Sequence, residues 1–125
     1  MTNDIDSFIF KDYIIPVLNE LKEELEKNNY KTRIREKNKP IQSAELIVIT
    51  DKNMEFGFNI SIDKNKELYL TINTKIPPQK EGHLINKGVG YQQSLVGFPL
   101  NKMEFKNLFK SKFEKFLKDP NTQIY

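Results

Sequence analysis

The sequence contains no cysteine and only one histidine, His83, in 125 residues. Without cysteine the chain can form no disulfide, no zinc–thiolate site and no thiol nucleophile. Proton transfer near neutral pH would draw on His83, but only Glu81 lies near it in sequence, so we interpret His83 as an exposed loop residue. We therefore expect a protein that is not an enzyme, with no cofactor and no metal.

Long apolar runs and a strong charge of one sign are also missing. No apolar run approaches the roughly 18 residues of a membrane-spanning helix, and the first ten residues lack the pattern of a secretory signal. The net charge is only +3, although 30% of the residues are charged and 38% are hydrophobic. This balance is typical of a globular domain. We expect one domain, residues 1–125, that lies in the cytoplasm and not in a membrane.

The spacing of apolar residues changes along the chain and predicts an α+β fold. Apolar residues recur at helical spacing over residues 7–28 and again over 101–118, and Pro16 predicts a kink or a restart of the first helix. Between them the period changes to two, with short Asp- and Asn-containing connections typical of hairpins. We predict a two-layer sandwich, a four-stranded antiparallel meander with both helices on one face. The predicted strands are 30–36, 44–50, 54–62 and 67–76, followed by a long loop over 77–100.

Two short motifs resemble ligand-binding sequences but lack a defining residue. Gly88 and Gly90 open a pattern like that of dinucleotide-binding loops, but Gln93 stands where the third glycine belongs. The stretch that begins at Asp63 resembles a calcium loop, but Leu68 occupies the position that needs glycine. We interpret the first as a flexible loop and the second as a hairpin turn.

The connection over residues 77–100 is the first candidate contact surface. Connections beyond about 12 to 15 residues are uncommon in compact domains unless they have a function or are disordered. This one contains Tyr91, Leu95 and Phe98, which give it too much apolar surface to remain in water. One prediction is that the connection packs on the domain, with a short strand or helical turn near 92–98. The other is that it forms a binding arm, in which these three residues and His83 contact a partner protein.

Basic residues provide the second candidate surface. Lys31, Arg33 and Arg35 alternate along the first predicted strand, and Lys106 and Lys110 lie on the last predicted helix. If the two elements adjoin, these side chains could contact phosphates of a nucleic acid. The other interpretation of the strand is an edge protected by its charges.

Together these observations favour a small binding or regulatory protein that acts through protein–protein contacts, of the adaptor, chaperone-like, immunity or inhibitor type. The uncovered face of the sheet or an edge strand could also form a homodimer. A nucleic-acid-binding domain is the first alternative. A small-ligand-binding or catalytic domain around residues 80–98 is the second, and it requires a pocket that a sequence does not reveal.

Overall fold

The chain folds into an antiparallel β-sheet with two helices packed on one of its faces. The computed structural model describes residues 10–38, 42–50, 54–75, 91–99 and 101–118. The strands follow one another across the sheet in the order β1-β2-β3-β4-β5, and every neighbouring pair is antiparallel. The elements are a π-helical turn (Phe10–Ile14), α1 (Ile15–Lys27), β1 (Lys31–Lys37), β2 (Ser43–Ile49), β3 (Glu55–Ile62), β4 (Leu68–Lys75), β5 (Tyr91–Ser94) and α2 (Lys102–Lys118).

The predicted α+β sandwich is confirmed, with one correction to the number of strands. The four predicted strands and the two predicted helices are present close to their predicted bounds. The meander has a fifth strand, β5, inside the connection that the main prediction treats as a loop. β5 pairs with β4, Tyr91 lying opposite Ile72 and Ser94 opposite Tyr69. None of the helices in the described ranges is long and apolar enough to cross a membrane.

The first helix changes from π to α geometry next to Pro16, and Ile14 at the junction has helical dihedral angles. The π-helical turn ends at Ile14 and α1 begins at Ile15, so Pro16 is the second residue of the α-helix. An N–H at this position has no partner within the helix, so proline costs least there. The predicted start of this helix, at residue 7, lies outside the described residues.

The core lies between the sheet and the helices and is dominated by phenylalanine. Phe56 and Phe58 of β3 face the helical layer, and neither is exposed to solvent. The ring centroid of Phe56 lies 5.2 Å from that of Phe113 and 5.3 Å from that of Phe116, and Phe58 packs at 5.2 Å against Phe109. These inclined ring contacts are a favoured arrangement of aromatic pairs. α1 completes this core with four buried residues: Val17, Leu18, Leu21 and Leu25.

A set of ion pairs joins the two helices. Glu20 of α1 lies 2.7 Å from the amine of Lys102 and 2.9 Å from that of Lys106, and Glu24 lies 2.9 Å from the amine of Lys106 and 3.5 Å from that of Lys110. Hydrogen bonds from Lys102 and Lys106 lower the pKa of Glu20, and the bond from Lys106 lowers the pKa of Glu24. The same bonds raise the pKa of Lys106. The lysines of α2 thus fix the helices against each other.

Candidate functional site

The face of the sheet that points away from the helices is the main candidate surface, and we call it the outer face. Among the described residues, no helix or strand covers it. The strand residues on this face carry five basic side chains, four on β1 and one on β4, and two acidic ones. The outer face consists of Lys31, Arg33, Arg35 and Lys37 of β1, Ser43, Glu45, Ile47 and Ile49 of β2, Glu55, Gly57, Asn59 and Ser61 of β3, Tyr69, Thr71, Asn73 and Lys75 of β4, and Gln92 and Ser94 of β5.

A groove of about 580 Å³ opens on this face around Gly57. The register places Gly57 between Ile47 of β2 and Asn73 of β4. Because glycine has no side chain, the central strand leaves a depression at this point. Ile47, which is only 5% exposed, contributes an apolar wall. The described lining residues are Arg33, Arg35, Glu45, Ile47, Glu55, Gly57, Asn73, Thr74 and Lys75.

Glu45 brings a buried carboxylate to the edge of this groove. Its Oε1 atom lies 3.2 Å from the guanidinium of Arg35, and its Oε2 atom accepts a hydrogen bond of 3.4 Å from the side-chain amide of Asn73. A buried carboxylate needs such partners, because burial without them is costly. A Cβ atom on Gly57 would lie 2.5 Å from Glu45 Oε2. The glycine therefore makes room for the carboxylate.

The arginines of β1 keep free binding capacity. Arg33 pairs loosely with Glu55 at 3.8 Å, and the side chains of Arg33 and Arg35 are 54% and 56% exposed. A guanidinium has five N–H donors, and one carboxylate uses at most two of them. Each arginine can thus hold its glutamate and still donate hydrogen bonds to a molecule in the groove.

The groove continues toward the other end of the sheet. A second depression of about 190 Å³ shares Arg35, Glu45 and Asn73 with the first and extends it to Lys37. At the far end Tyr69 lies beside Asp63 in a third depression. Partial burial raises the pKa of the Tyr69 hydroxyl, and the charges of Asp63 and Glu67 raise it further. The outer face is therefore an uneven, polar surface along most of its length.

Two of the predicted partner-binding residues pack against the rest of the domain. Leu95 is 3% exposed and belongs to the core, so it has almost no surface to offer a partner. Phe98 is half-buried, with its ring 5.3 Å from that of Phe105. Tyr91 lies in β5, which anchors this segment to the sheet. His83 lies outside the described residues.

The structure separates the basic residues that were predicted to contact a nucleic acid. Lys31, Arg33 and Arg35 lie on the outer face, whereas Lys106 and Lys110 lie in the helical layer on the opposite side of the sheet. The two lysines are paired with glutamates of α1. Since the sheet separates the two groups, they do not form one continuous basic surface.

Glu45, Gly57 and Asn73 are not among the site residues predicted from the sequence. Two of them stand out in the sequence of their strands. Glu45 interrupts an otherwise apolar strand, and a glycine inside a strand marks a bulge or a close approach of other atoms. Asn73 does not stand out, because its contact with Glu45 depends on the register across three strands.

Comparisons of the chain with protein-family models, with curated proteins and with solved structures found no match. The function is therefore inferred from the geometry and charge of the outer face.

Proposed function

We propose that this protein is a small cytoplasmic binding protein that holds an acidic segment of a partner protein on the outer face of its sheet. The observation that carries the proposal is the composition of this face. It has an excess of basic side chains around a groove, with the side-chain amide of Asn73 among them. Complementary charges across a protein interface select the partner.

The interleaved charges favour a protein over a nucleic acid. Glu45 and Glu55 lie among the basic residues of the groove, and a phosphate backbone would be repelled by both carboxylates. A protein segment can place an acidic group beside Arg33 and a neutral or basic group beside the glutamates. Mixed charge therefore restricts the partner to a chain with a matching pattern, as in other specific interfaces.

Site-specific photo-cross-linking in the native cells tests the proposal. A photoreactive amino acid replaces Thr71, on the outer face, or Asn107, which is exposed on α2 in the helical layer. We expect adducts with a protein from position 71 and not from position 107. We also expect Lys75→Glu, beside the groove, to reduce the yield from position 71 several-fold, because it reverses a charge that attracts the partner.

Lys118→Glu is the matched control, since it makes the same charge change at an exposed position of α2. It should leave the yield unchanged. Protein adducts that form equally from positions 71 and 107, or no protein adducts at all, would overturn the proposal. Adducts with nucleic acid from position 71 would replace it with the nucleic-acid alternative.

A further inference from the structure

β1 forms one edge of the sheet, and among the described residues only β2 pairs with it. Five of its seven residues are exposed, whereas β2 has five buried residues in a strand of the same length. An edge strand presents unpaired N–H and C=O groups that can pair with a further strand. At seven residues, β1 is also longer than β5, the four-residue strand at the other edge.

The two faces of β1 have different chemistry. Its outer-face positions, Lys31, Arg33, Arg35 and Lys37, are all basic. On the other face, Ile34 packs against the core and is half-exposed, Thr32 is also half-exposed, and Glu36 near the end of the strand is exposed. The helical layer thus leaves this row of the sheet only partly covered.

A second copy of this chain does not fit the edge. If two β1 strands paired so that the helices stayed on one side of the extended sheet, the basic residues of one copy would lie opposite those of the other. Directly opposed like charges are destabilising. If the pairing of the two β1 strands shifted by one residue, the helices of the second copy would lie on the same side as the outer face of the first. Ile34 of each copy would then lie opposite a basic side chain of the other.

We infer that β1 accepts an extended segment of the partner protein as a sixth strand, and that this segment alternates acidic with apolar residues. The acidic residues would lie opposite the basic residues on the outer face, where opposite charges across strands are stabilising. The apolar residues would cover Ile34 and extend the core. Backbone hydrogen bonds supply affinity in this mode of recognition, and alternate side chains supply specificity. This inference rests on the proposed function, because it specifies how the partner is bound.

A synthetic peptide of seven residues that alternates glutamate with valine or isoleucine tests the inference on the full-length protein. Fluorescence anisotropy of the labelled peptide measures its affinity, and amide hydrogen exchange followed by NMR locates it. We expect binding that protects amides of β1 and leaves those of β5 unchanged. A peptide of the same composition with all glutamates at one end should bind at least about tenfold more weakly, because only one alternating register matches the edge.

The double variant Lys31→Glu/Lys37→Glu tests the charge pattern away from Glu45 and Glu55. It should weaken the glutamate peptide at least about tenfold, and it should bind a version with lysine in place of the two outermost glutamates, since these lie opposite positions 31 and 37. Lys11→Glu/Lys118→Glu is the matched control with the same charge change in exposed helical residues, and it should bind like the unmodified protein.

Equal affinity for the alternating and the rearranged peptide, or no protection of β1, would overturn the inference. Protein cross-links at position 71 together with unprotected β1 amides would leave the proposed function standing and place the partner elsewhere on the outer face. Protection of β1 by the peptide without protein cross-links in cells would instead remove the proposed function.

Discussion

The substitution Gly57→Ala tests whether the glycine exists to accommodate the carboxylate of Glu45. The added Cβ atom would lie 2.5 Å from Glu45 Oε2 and 3.2 Å from the main-chain oxygen of Asn73. The side chain of Glu45 is flexible and can move, whereas the main chain of β4 is held by its neighbours. We therefore expect Glu45 to leave its position between Arg35 and Asn73.

The magnitude follows from two opposing effects. Alanine in place of glycine stabilises a strand by up to about 1 kcal/mol, because the unfolded chain has less freedom. Displacement of Glu45 loses contacts with Arg35 and Asn73, and hydrogen bonds to a charged group are worth about 1.5 to 3 kcal/mol. The loss is larger, so Gly57→Ala should lower the free energy of unfolding by about 1 to 2 kcal/mol. For this chain length that corresponds to a fall in Tm of roughly 4 to 8 °C.

A double-mutant cycle identifies the cause. Urea unfolding is measured for the unmodified protein, Gly57→Ala, Glu45→Ala and the double variant. In the Glu45→Ala background the new methyl group meets no carboxylate, so Gly57→Ala should be neutral or stabilising there. If Gly57→Ala costs the same free energy in both backgrounds, the proposed contact between the two positions is wrong.

Three further predictions concern stability. Glu20→Gln/Glu24→Gln should lower the free energy of unfolding at pH 7, because it removes the ion pairs with the lysines of α2. Since the pKa values of both glutamates lie below the ordinary 4.5 in the folded protein, the stabilisation by these ion pairs is present above that value and is lost as the pH falls. Urea unfolding from pH 7 to about pH 3 should show the difference from the unmodified protein shrinking, and a constant difference would contradict the role of these charges. Phe56→Ala should cost about 3 to 5 kcal/mol in urea unfolding, because it leaves a cavity among three phenylalanine rings; a loss below about 1 kcal/mol would contradict this packing. Gly97→Ala should lower the free energy of unfolding by about 1 kcal/mol, because φ is +80° there and no atom lies within 4 Å of an added Cβ; equal stability of the two proteins would contradict this conformation.

The sequence predicts the helices and four strands because their apolar spacing follows directly from which side chains are buried. β5 has no such pattern, since Gln92 and Gln93 occupy its centre and only pairing with β4 makes it a strand. The basic positions of the outer face are likewise visible in the alternation of β1.

The groove itself could not be predicted in this way. Arg35 and Glu45 lie opposite each other only because the register of β1 and β2 places them so, and Asn73 reaches Glu45 across β3. Periodicity specifies the face on which a residue lies, but not its neighbours on adjacent strands. The local signals that pointed to this place were Gly57 in the middle of β3 and Glu45 within the otherwise apolar β2.

The phenylalanine core has a consequence for how the protein is made. The meander pairs strands that are close in sequence, so most of the sheet can assemble while the chain is still being synthesised. The rings that cover Phe56 and Phe58 belong to α2, which leaves the ribosome after all five strands. Until then the sheet presents an uncovered aromatic face, the kind of surface that chaperones bind and that promotes aggregation. A chain interrupted before α2 would therefore leave Phe56 and Phe58 uncovered and would be prone to aggregate.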